Sequence, residues 1–256
     1  MRRSTPRRST PRSTPVASRR STKSIIPVRS PAPLPAPLRR VADDISACAR
    51  CPRLASWCGT FRKDREYWAR GVPGFGDPKA VLLILGLAPG AHGANRTGRP
   101  FTGDAAGDFL YRGLHEVGLA SRPESVSRDD GLVLRSAWIT NSVKCCPPEN
   151  KPTPTEVRAC APFLAKELDI LGEIRAVLAL GKTAHDAWLA HIAARGTPVR
   201  RAAHPFAHEK VHRFGDDLPI LVDTFHTSRY NVNTGKLTYP AFLAALKAAM
   251  AHAGLR

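Results

Sequence analysis

The sequence predicts an α/β protein in which a parallel β-sheet is covered by helices on both faces. Four short apolar runs are rich in Val, Ile or Leu and are bounded by glycine, proline or polar residues, which is typical of buried strands. These runs are 81–86, 137–140, 176–180 and 219–222. Segments with helical periodicity stand between the runs, and strands that alternate with helices favour a parallel sheet.

Four helices are expected from the spacing of apolar residues. They are 105–117, 155–171, 182–192 and 239–252. In the first of them, Phe109, Leu110 and Leu114 share one face, which is the pattern of an amphipathic helix packed on a core. The second follows Pro154, and proline suits the first turn of a helix because its missing N–H would have no partner there.

The charge balance indicates a polyanionic partner. The chain of 256 residues carries 39 Lys and Arg against 21 Asp and Glu, a formal net charge of +18. Nucleic acid is the first candidate for so basic a protein, ahead of an anionic membrane surface. The sequence contains no apolar run of about 18 residues, so no membrane-spanning helix is expected.

The first 42 residues are interpreted as a disordered basic tail, followed by a single domain of residues 43–256. The tail repeats the unit RRSTP and holds ten Arg and one Lys. Frequent proline blocks helix and sheet, and the few apolar residues cannot offset the entropy of ordering. Four interpretations of the tail stay open: an arm that binds DNA phosphates, a transit peptide, a segment upstream of the true start, and a solvated tail without function.

Six cysteines suggest a metal site. Cys48 and Cys51 form a CxxC pair, and Cys160 with either Cys145 or Cys146 supplies a second pair. Four thiolates can hold a structural Zn²⁺ or an iron–sulfur cluster. Nothing in the sequence signals secretion, so metal binding is favoured over a disulfide framework. Spacing alone does not choose between zinc and iron.

A glycine-rich segment follows the first predicted strand, where ligands bind in open α/β sheets. Its glycines let the backbone approach a ligand and direct amides at it. Phe101 stands among these glycines and can either offer a flat face to a base or close the end of the sheet. Asp104 precedes the helix that starts at residue 105, where it suits an N-cap and can also face a ligand.

Two more segments should reach the same edge of the sheet. The segment after the last predicted strand holds His226, Arg229, Tyr230 and Asn231, a set that suits phosphate contacts and insertion into a duplex. A solvated polar loop is the alternative. Asn141 ends the second predicted strand, and its amide can donate and accept at once, as reading the edge of a pyrimidine requires.

Together these segments resemble the uracil-DNA glycosylase superfamily, in particular its family 5 or type B enzymes. The motifs GLAPGAHGANRTGRPFTGD and HTSRYNVNTGKLT carry the resemblance, which covers roughly residues 45–250. It implies a three-layer α/β/α sandwich around a central four-stranded parallel sheet. It also implies a monofunctional DNA repair enzyme that flips uracil out of double-stranded DNA and hydrolyses the N-glycosidic bond, leaving an abasic site.

The resemblance implies a structural [4Fe–4S] cluster rather than zinc. Its ligands would be Cys48, Cys51, Cys145 and Cys160, as judged from the family pattern of a cysteine followed by the proline-rich NKPTP. The sequence shows no sign of oligomerisation or of membrane attachment. A monomer that acts on the nucleoid in a bacterial cytoplasm is therefore expected.

Catalytic roles also follow from the resemblance. Most relatives carry an acidic or amide residue near the first glycine of the first motif, whereas Leu87, Ala88 and Pro89 offer no polar side chain here, a gap that family 5 enzymes share. Asp104 is therefore expected to stabilise the oxocarbenium-like transition state and to position water. His226 is expected to donate, together with backbone amides of residues 86–90, to the negative charge that develops on uracil O2.

The remaining residues are assigned to the base and to the DNA. Phe101 would stack on the flipped base, and Asn141 would read its edge. The pocket around the base would be formed by Gly86, Leu87, Ala88 and Gly90. Arg229, Tyr230 and Asn231 would grip phosphate or fill the vacated stack.

Two other functions and a wider substrate range complete the expectations. A pocket without the usual polar side chain would be roomier, which favours other lesions such as hypoxanthine and ethenocytosine besides uracil. A non-catalytic, metal-stabilised nucleic-acid-binding protein would explain the charge and the cysteines but not the segment with Phe101 and Asp104. A nucleotide-dependent enzyme would use the glycine-rich loop, but the phosphate-loop motif GxxxxGK[ST] is missing.

Overall fold

The fold is built on one mixed β-sheet, seen in a computed structural model that describes residues 33–63 and 66–256. The strands in this part of the chain are β1 (Phe75–Gly76), β2 (Leu82–Gly86), β3 (Ala137–Asn141), β4 (Ala176–Leu180), β5 (Val211–His212) and β6 (Ile220–Thr224). Their order across the sheet is β1-β3-β2-β4-β6-β5. The four inner strands are parallel to one another, and they are the four that the apolar runs predicted.

The central four-stranded parallel sheet is as predicted, and two further strands extend it to six. The two additional strands, β1 and β5, lie at opposite edges and pair antiparallel with β3 and β6. Each is two residues long, too short to produce an alternating pattern. Very short antiparallel edge strands are a usual way of ending a sheet without exposing a long row of unpaired backbone groups.

The helices in the described part of the chain are α1 (Ala36–Ala47), α2 (Pro52–Thr60), α3 (Ala94–Thr97), α4 (Ala105–Glu116), α5 (Pro154–Leu171), α6 (Lys182–Ala194), α7 (Arg229–Asn233) and α8 (Tyr239–His252). The four predicted helices correspond to α4, α5, α6 and α8, with ends that agree within two residues. Single 3₁₀ turns lie at Phe61–Lys63, Pro148–Asn150 and Arg201–Ala203. Within the residues described, none of the helices combines the length and the apolar composition needed to cross a bilayer.

Helices cover both faces of the sheet, so the predicted three-layer arrangement is confirmed. Alternate side chains of the central strand β2 pack into two different hydrophobic cores. Leu82 and Ile84 belong to the core shared with α4 and α8, whereas Leu83 and Leu85 belong to the core shared with α1, α5 and α6. Because successive side chains of a strand point to opposite faces, a continuous apolar run is the pattern of a strand buried on both sides.

Helical structure begins before the predicted boundary between residues 42 and 43. Helix α1 starts at Ala36, with Pro37 in its first turn. Leu38, Val41 and Ile45 are buried along one side of this helix, at the spacing of an amphipathic helix. The prolines that suggested an extended tail therefore begin a helix instead, and residues 1–32 of the predicted tail lie outside the described residues.

Candidate active site

A cavity of about 470 Å³ lies at the carboxyl edge of the parallel strands. Strand β2 ends at Gly86 and β3 ends at Asn141, and the chain after β6 reaches the same edge. Most of the residues predicted for the substrate and the chemistry line this one cavity: Leu87, Ala88, Gly90, Phe101, Asp104, Asn141, His226 and Arg229. The sheet topology therefore brings together three segments that are distant in sequence, as predicted.

Gly86 provides space rather than a wall of the cavity. A Cβ atom at this position would lie 2.3 Å from Asn141 Oδ1 and 2.7 Å from Phe101 Cζ. Both side chains approach the strand end only because position 86 carries no side chain. Gly86 therefore gives clearance to two neighbouring side chains, and its contact with the substrate stays a prediction.

Asn141 presents a free acceptor to the cavity. Its side chain is buried, and Oδ1 has no hydrogen-bond partner among the residues that the structure describes. The backbone around it is held to β2, because the amide of Ser142 donates to the carbonyl of Gly86 at 2.9 Å. Buried polar atoms are nearly always bonded in proteins, so this acceptor is available to a ligand or a water in the cavity.

Phe101 lies between the cavity and the core. It has a left-handed backbone, with φ of 51°, and its ring is packed at 5.9 Å and a 34° tilt from the imidazole of His226. A Cβ on Gly107 would be 1.9 Å from the Phe101 carbonyl oxygen, so the first turn of α4 supports this conformation closely. A bulky residue with positive φ is uncommon and is often found at a functional site.

Asp104 combines the two roles that were predicted for it. It is the N-cap of α4, and its Oδ1 accepts a hydrogen bond from the Gly107 amide at 2.9 Å. Oδ2 is directed at the glycine-rich loop, where a Cβ on Gly93 would be 1.9 Å from it and a Cβ on Gly90 would be 3.0 Å away. One oxygen thus stabilises the helix while the other faces the cavity.

His226 is a neutral side chain in the wall of the cavity. Burial lowers its pKa, and the nearby Asp104 carboxylate opposes this only in part. A neutral imidazole at pH 7 offers one N–H donor without carrying a charge. The Thr227 hydroxyl donates to the carbonyl of Ala106 at 3.1 Å, which fixes the histidine loop to the start of α4.

The three residues predicted to contact DNA lie in different environments. Arg229 lines the cavity, and Tyr230 is 73% exposed on α7 next to it. Asn231 points inward, because its side-chain amide donates to the carbonyl of His226 at 2.8 Å. Asn231 thus supports the histidine loop, and a contact between Asn231 and DNA stays a prediction.

Two cavity residues were missed by the sequence analysis. Ser228 lines the cavity and caps α7. Asn150 lines it from the 3₁₀ turn, where Asn150 and the preceding Glu149 both have positive φ. Asparagine tolerates this conformation, but the sequence around it reads as an ordinary proline-rich loop. The cavity neighbour His92 contacts Tyr67, with 2.7 Å between Tyr67 Oη and His92 Nδ1.

Arg53 ties the cysteine segment to the loop that carries Asn150. Its guanidinium makes a bidentate ion pair with Glu156, at 2.8 and 2.7 Å. A further hydrogen bond reaches the carbonyl of Lys151 at 3.2 Å. The residue next to Asn150 is therefore held by an arginine that lies two positions after Cys51.

The four predicted cysteine ligands line one small cleft. Cys48 and Cys51 approach from the α1–α2 connection, Cys145 from the loop after β3, and Cys160 from α5. Cys146 is buried elsewhere, with its Sγ 3.8 Å from the carbonyl oxygen of Pro147. Burial raises the pKa of the Cys51 and Cys160 thiols and so favours their protonated forms. A bound cation would favour the thiolate forms instead.

Among residues 33–63 and 66–256, no three of the cysteine sulfurs lie within 4.8 Å of one another. Four thiolates on a single zinc, with bonds of about 2.3 Å, would lie about 3.8 Å apart.

The family model and the individual relatives that match this chain agree on one superfamily. The family model of the uracil DNA glycosylase superfamily matches residues 73–249. A type-5 uracil-DNA glycosylase of Thermus thermophilus is 50% identical over 222 residues, which cover 82% of this chain and 96% of that protein. A type-5 uracil-DNA glycosylase of Pyrobaculum aerophilum is 43% identical, covering 81% and 89%. One of Mycobacterium bovis is 46% identical, covering 76% and 74%.

Proposed function

Because this chain belongs to the uracil-DNA glycosylase superfamily, we propose that it excises uracil from DNA by hydrolysing the N-glycosidic bond. The observation that carries this proposal is the joint placement of Phe101, Asn141, Asp104 and His226 around one cavity at the strand ends. The products are free uracil and an abasic site. Described side chains around the cavity include no lysine, so no amine is placed for a second, strand-cleaving step.

The cavity binds the flipped base by stacking and by edge recognition. The Phe101 ring supplies the stacking face, and stacking of a base on an aromatic ring is worth about 1–3 kcal/mol. The amide of Asn141 matches uracil, because Oδ1 can accept from N3–H while the nitrogen donates to O4. This pairing uses the acceptor that has no hydrogen-bond partner among the described residues.

The chemistry follows from the placement of Asp104 and His226. As the glycosidic bond breaks, the sugar gains positive charge and uracil leaves as an anion. Asp104 Oδ2 stabilises the sugar cation and orients the attacking water, a task that Leu87 and Ala88 cannot share. His226 donates its single N–H to uracil O2 and stabilises the leaving anion, as an oxyanion-hole donor does.

Double-stranded DNA is held on the rim of the cavity. Arg229 is placed to contact a phosphate next to the flipped nucleotide, and the exposed ring of Tyr230 can fill the vacated stack. The positive net charge of the chain adds a sequence-independent attraction to DNA. The enzyme acts as a monomer on DNA in the cytoplasm, at the nucleoid.

A [4Fe–4S] cluster fits the cysteine cleft. Its support is the donor set of four cysteines and the direction of Cys145 rather than Cys146 into the cleft. The cluster supplies a crosslink between distant segments when it is bound. Cys48 and Cys51 then fix the N-terminal helices, and Cys145 fixes the loop between Asn141 and Asn150.

We extend the substrate range beyond uracil. The segment Leu87-Ala88-Pro89 lines the cavity with apolar groups and backbone, and it places no polar side chain that would reject a larger or differently substituted base. Other deaminated or damaged bases, such as hypoxanthine and ethenocytosine, should therefore be excised as well. Equal rejection of every base except uracil would count against this extension.

The test is abasic-site formation on a uracil-containing duplex, with wild type and the variants Asp104→Asn and Asp104→Ala. Asparagine is a good N-cap, so Asp104→Asn removes the charge and keeps the helix cap. Both variants should lose at least about 100-fold in rate. The matched control is Asp108→Asn, an exposed carboxylate one turn further along the same helix, which should retain activity.

The other outcomes are equally informative. Undiminished cleavage by Asp104→Asn would retain the glycosylase and move catalysis to His226 and the backbone amides. Failure of a folded wild type to cleave uracil or any other lesion would favour the non-catalytic nucleic-acid-binding protein, which no feature of the cavity supports.

A further inference from the structure

A second cluster of ligand-type side chains lies outside the cavity, at the β5–β6 edge of the sheet. His185 comes from the first turns of α6, His212 from β5 and Asp223 from β6, and all three are buried. The two oxygens of the Asp223 carboxylate lie 2.9 Å from His185 Nδ1 and 2.9 Å from His212 Nε2. The uracil-excision chemistry uses none of these groups.

The hydrogen-bond partners of His185 leave one contact that needs an additional hydrogen or a metal ion. His185 Nε2 lies 2.9 Å from the backbone carbonyl oxygen of His204. A carbonyl can only accept, so Nε2 carries the hydrogen, and a neutral imidazole then has its lone pair on Nδ1. This lone pair faces a carboxylate oxygen of Asp223, and the contact is favourable only with a hydrogen or a metal ion between the two atoms.

We propose that His185, His212 and Asp223 bind one divalent first-row transition-metal ion, with Zn²⁺ as the ion of reference. Their donor atoms all lie within 4.8 Å of one another, and the part of the chain that the structure describes holds no other such group. Two imidazoles and a carboxylate are ligands that these metals prefer. Tetrahedral bonds of about 2.0–2.1 Å place donor atoms about 3.3 Å apart, and each imidazole nitrogen lies within a few tenths of an ångström of this distance from an oxygen of Asp223.

The surroundings of the cluster match those of a metal site. A metal-binding histidine usually donates its other ring N–H to a carbonyl or carboxylate, which is the contact of His185 with His204. The amide of Ala207 donates to Asp223 Oδ2 at 3.3 Å and orients the carboxylate. The three side chains leave one tetrahedral position, which a water would complete.

The proposed ion would stabilise the fold, and its site would be separate from the cysteine cleft. It would join α6, β5 and β6 at a point three residues before His226 in the chain. It would also replace the additional hydrogen on His185, so that binding releases a proton.

The experiment uses the full chain with its iron cluster in place, so that the cysteines are not free to bind the added metal. Zn²⁺ or Co²⁺ is added, loosely held metal is removed, and bound metal is measured by elemental analysis. Wild type should retain one additional ion, and bound Co²⁺ should show ligand-field absorption without sulfur-to-cobalt charge transfer. Asp223→Asn and His212→Gln should weaken binding at least about 100-fold, while His191→Gln, on the same helix as His185, should not.

Two results would overturn the proposal: a wild type that retains no added metal, or variants that bind as tightly as wild type. If the variants fail to fold, nitrogen NMR of the wild-type imidazoles decides instead. Zn²⁺ should displace the hydrogen between His185 Nδ1 and Asp223, so the NMR signal of that hydrogen should disappear, whereas its persistence at saturating Zn²⁺ excludes the site. These readouts do not depend on base excision, so they stand or fall separately from the proposed function.

Discussion

One loop supplies residues to the wall of the cavity and to a buried hydrogen-bond network behind that wall. The polar groups of the wall are available to a ligand, whereas those of the network are bonded within the protein. Phe101 and Asp104 face the cavity, where Asn141 Oδ1 has no hydrogen-bond partner within the described part of the chain. Arg99 and Thr102 face the other way into a buried network that is fully bonded. Within a few residues the chain alternates between groups kept free for a ligand and groups committed to the fold.

The network behind the cavity is centred on a buried ion pair. The Arg99 guanidinium contacts both oxygens of Asp130, and it also donates to Ser125 Oγ at 2.6 Å and to Thr102 Oγ1 at 3.0 Å. Burial alone would raise the pKa of Asp130, but the hydrogen bonds from Arg99 and the backbone hold it well below its usual range. The comparison teaches that a strained aromatic such as Phe101 is kept in place by a neighbour whose bonding is complete.

The largest effect is expected from breaking this network. Arg99→Met leaves the Asp130 carboxylate buried without its partner, which should lower the free energy of unfolding by about 3–5 kcal/mol. Urea denaturation measures the change. Arg122→Met, at an exposed arginine, is the control and should stay within about 0.5 kcal/mol of wild type. An Arg99 variant as stable as wild type would contradict the distinction between loop residues that face the cavity and loop residues that stabilise the fold.

The next effect concerns the cavity side and should leave stability nearly unchanged. His226→Ala removes one donor to the leaving uracil, so the single-turnover rate should fall about 10²–10³-fold, or roughly 3–4 kcal/mol in activation free energy. Quenched-flow measurement of base release gives this rate. His252→Ala, in the last turn of α8, should excise uracil as wild type does. A rate loss that only followed a loss of folded protein would assign His226 to the fold instead.

A smaller effect is expected from pH. The folded-state pKa of Asp130 lies below its unfolded value, so its stabilising contribution is complete above the unfolded pKa and disappears as the pH falls through the folded one. The free energy of unfolding of wild type should therefore decline below about pH 4. Asp130→Asn should show a shallower decline over the same range, measured by chemical denaturation at each pH. Equal slopes would mean that other carboxylates dominate acid unfolding.

The smallest effect should come from the link between the cysteine cleft and the cavity. Arg53 is about half exposed, and exposed ion pairs contribute little to stability. Arg53→Ala should therefore leave folding unchanged and raise KM for the uracil duplex by no more than about twofold, through a looser Asn150. Steady-state kinetics tests this, with Arg158→Ala, an exposed arginine of α5, as control. A large loss of activity would show that the two regions are tightly coupled.

The sequence predicted the inner sheet well because its strands are buried on both faces. Continuous apolar runs such as 176–180 match an observed strand residue for residue. The edge strands could not be found, since Phe75–Gly76 and Val211–His212 are too short to show a period. The start of α1 was missed because proline at a helix start and proline in an extended tail look alike in sequence.

The cavity was predicted in outline because strand ends converge at one edge of a parallel sheet. Asp104, Phe101, Asn141 and His226 all follow from that rule together with the family motifs. Asn150 could not be found this way, since its position depends on a left-handed turn. The cluster of His185, His212 and Asp223 was out of reach for a different reason: it depends on strand pairing between β5 and β6.

The close packing around Gly86 and Gly93 limits which mutations the enzyme can tolerate at these two positions. A methyl group at Gly86 would meet Asn141 and Phe101, and one at Gly93 would meet Asp104 Oδ2. Alanine is among the smallest replacements that a single nucleotide change can make at a glycine codon, yet here it fills space that the base-recognition and charge-stabilising groups occupy. In a saturation screen for survival on uracil-bearing genomes, codons 86 and 93 should tolerate as little change as codon 104, although neither glycine carries a reactive atom.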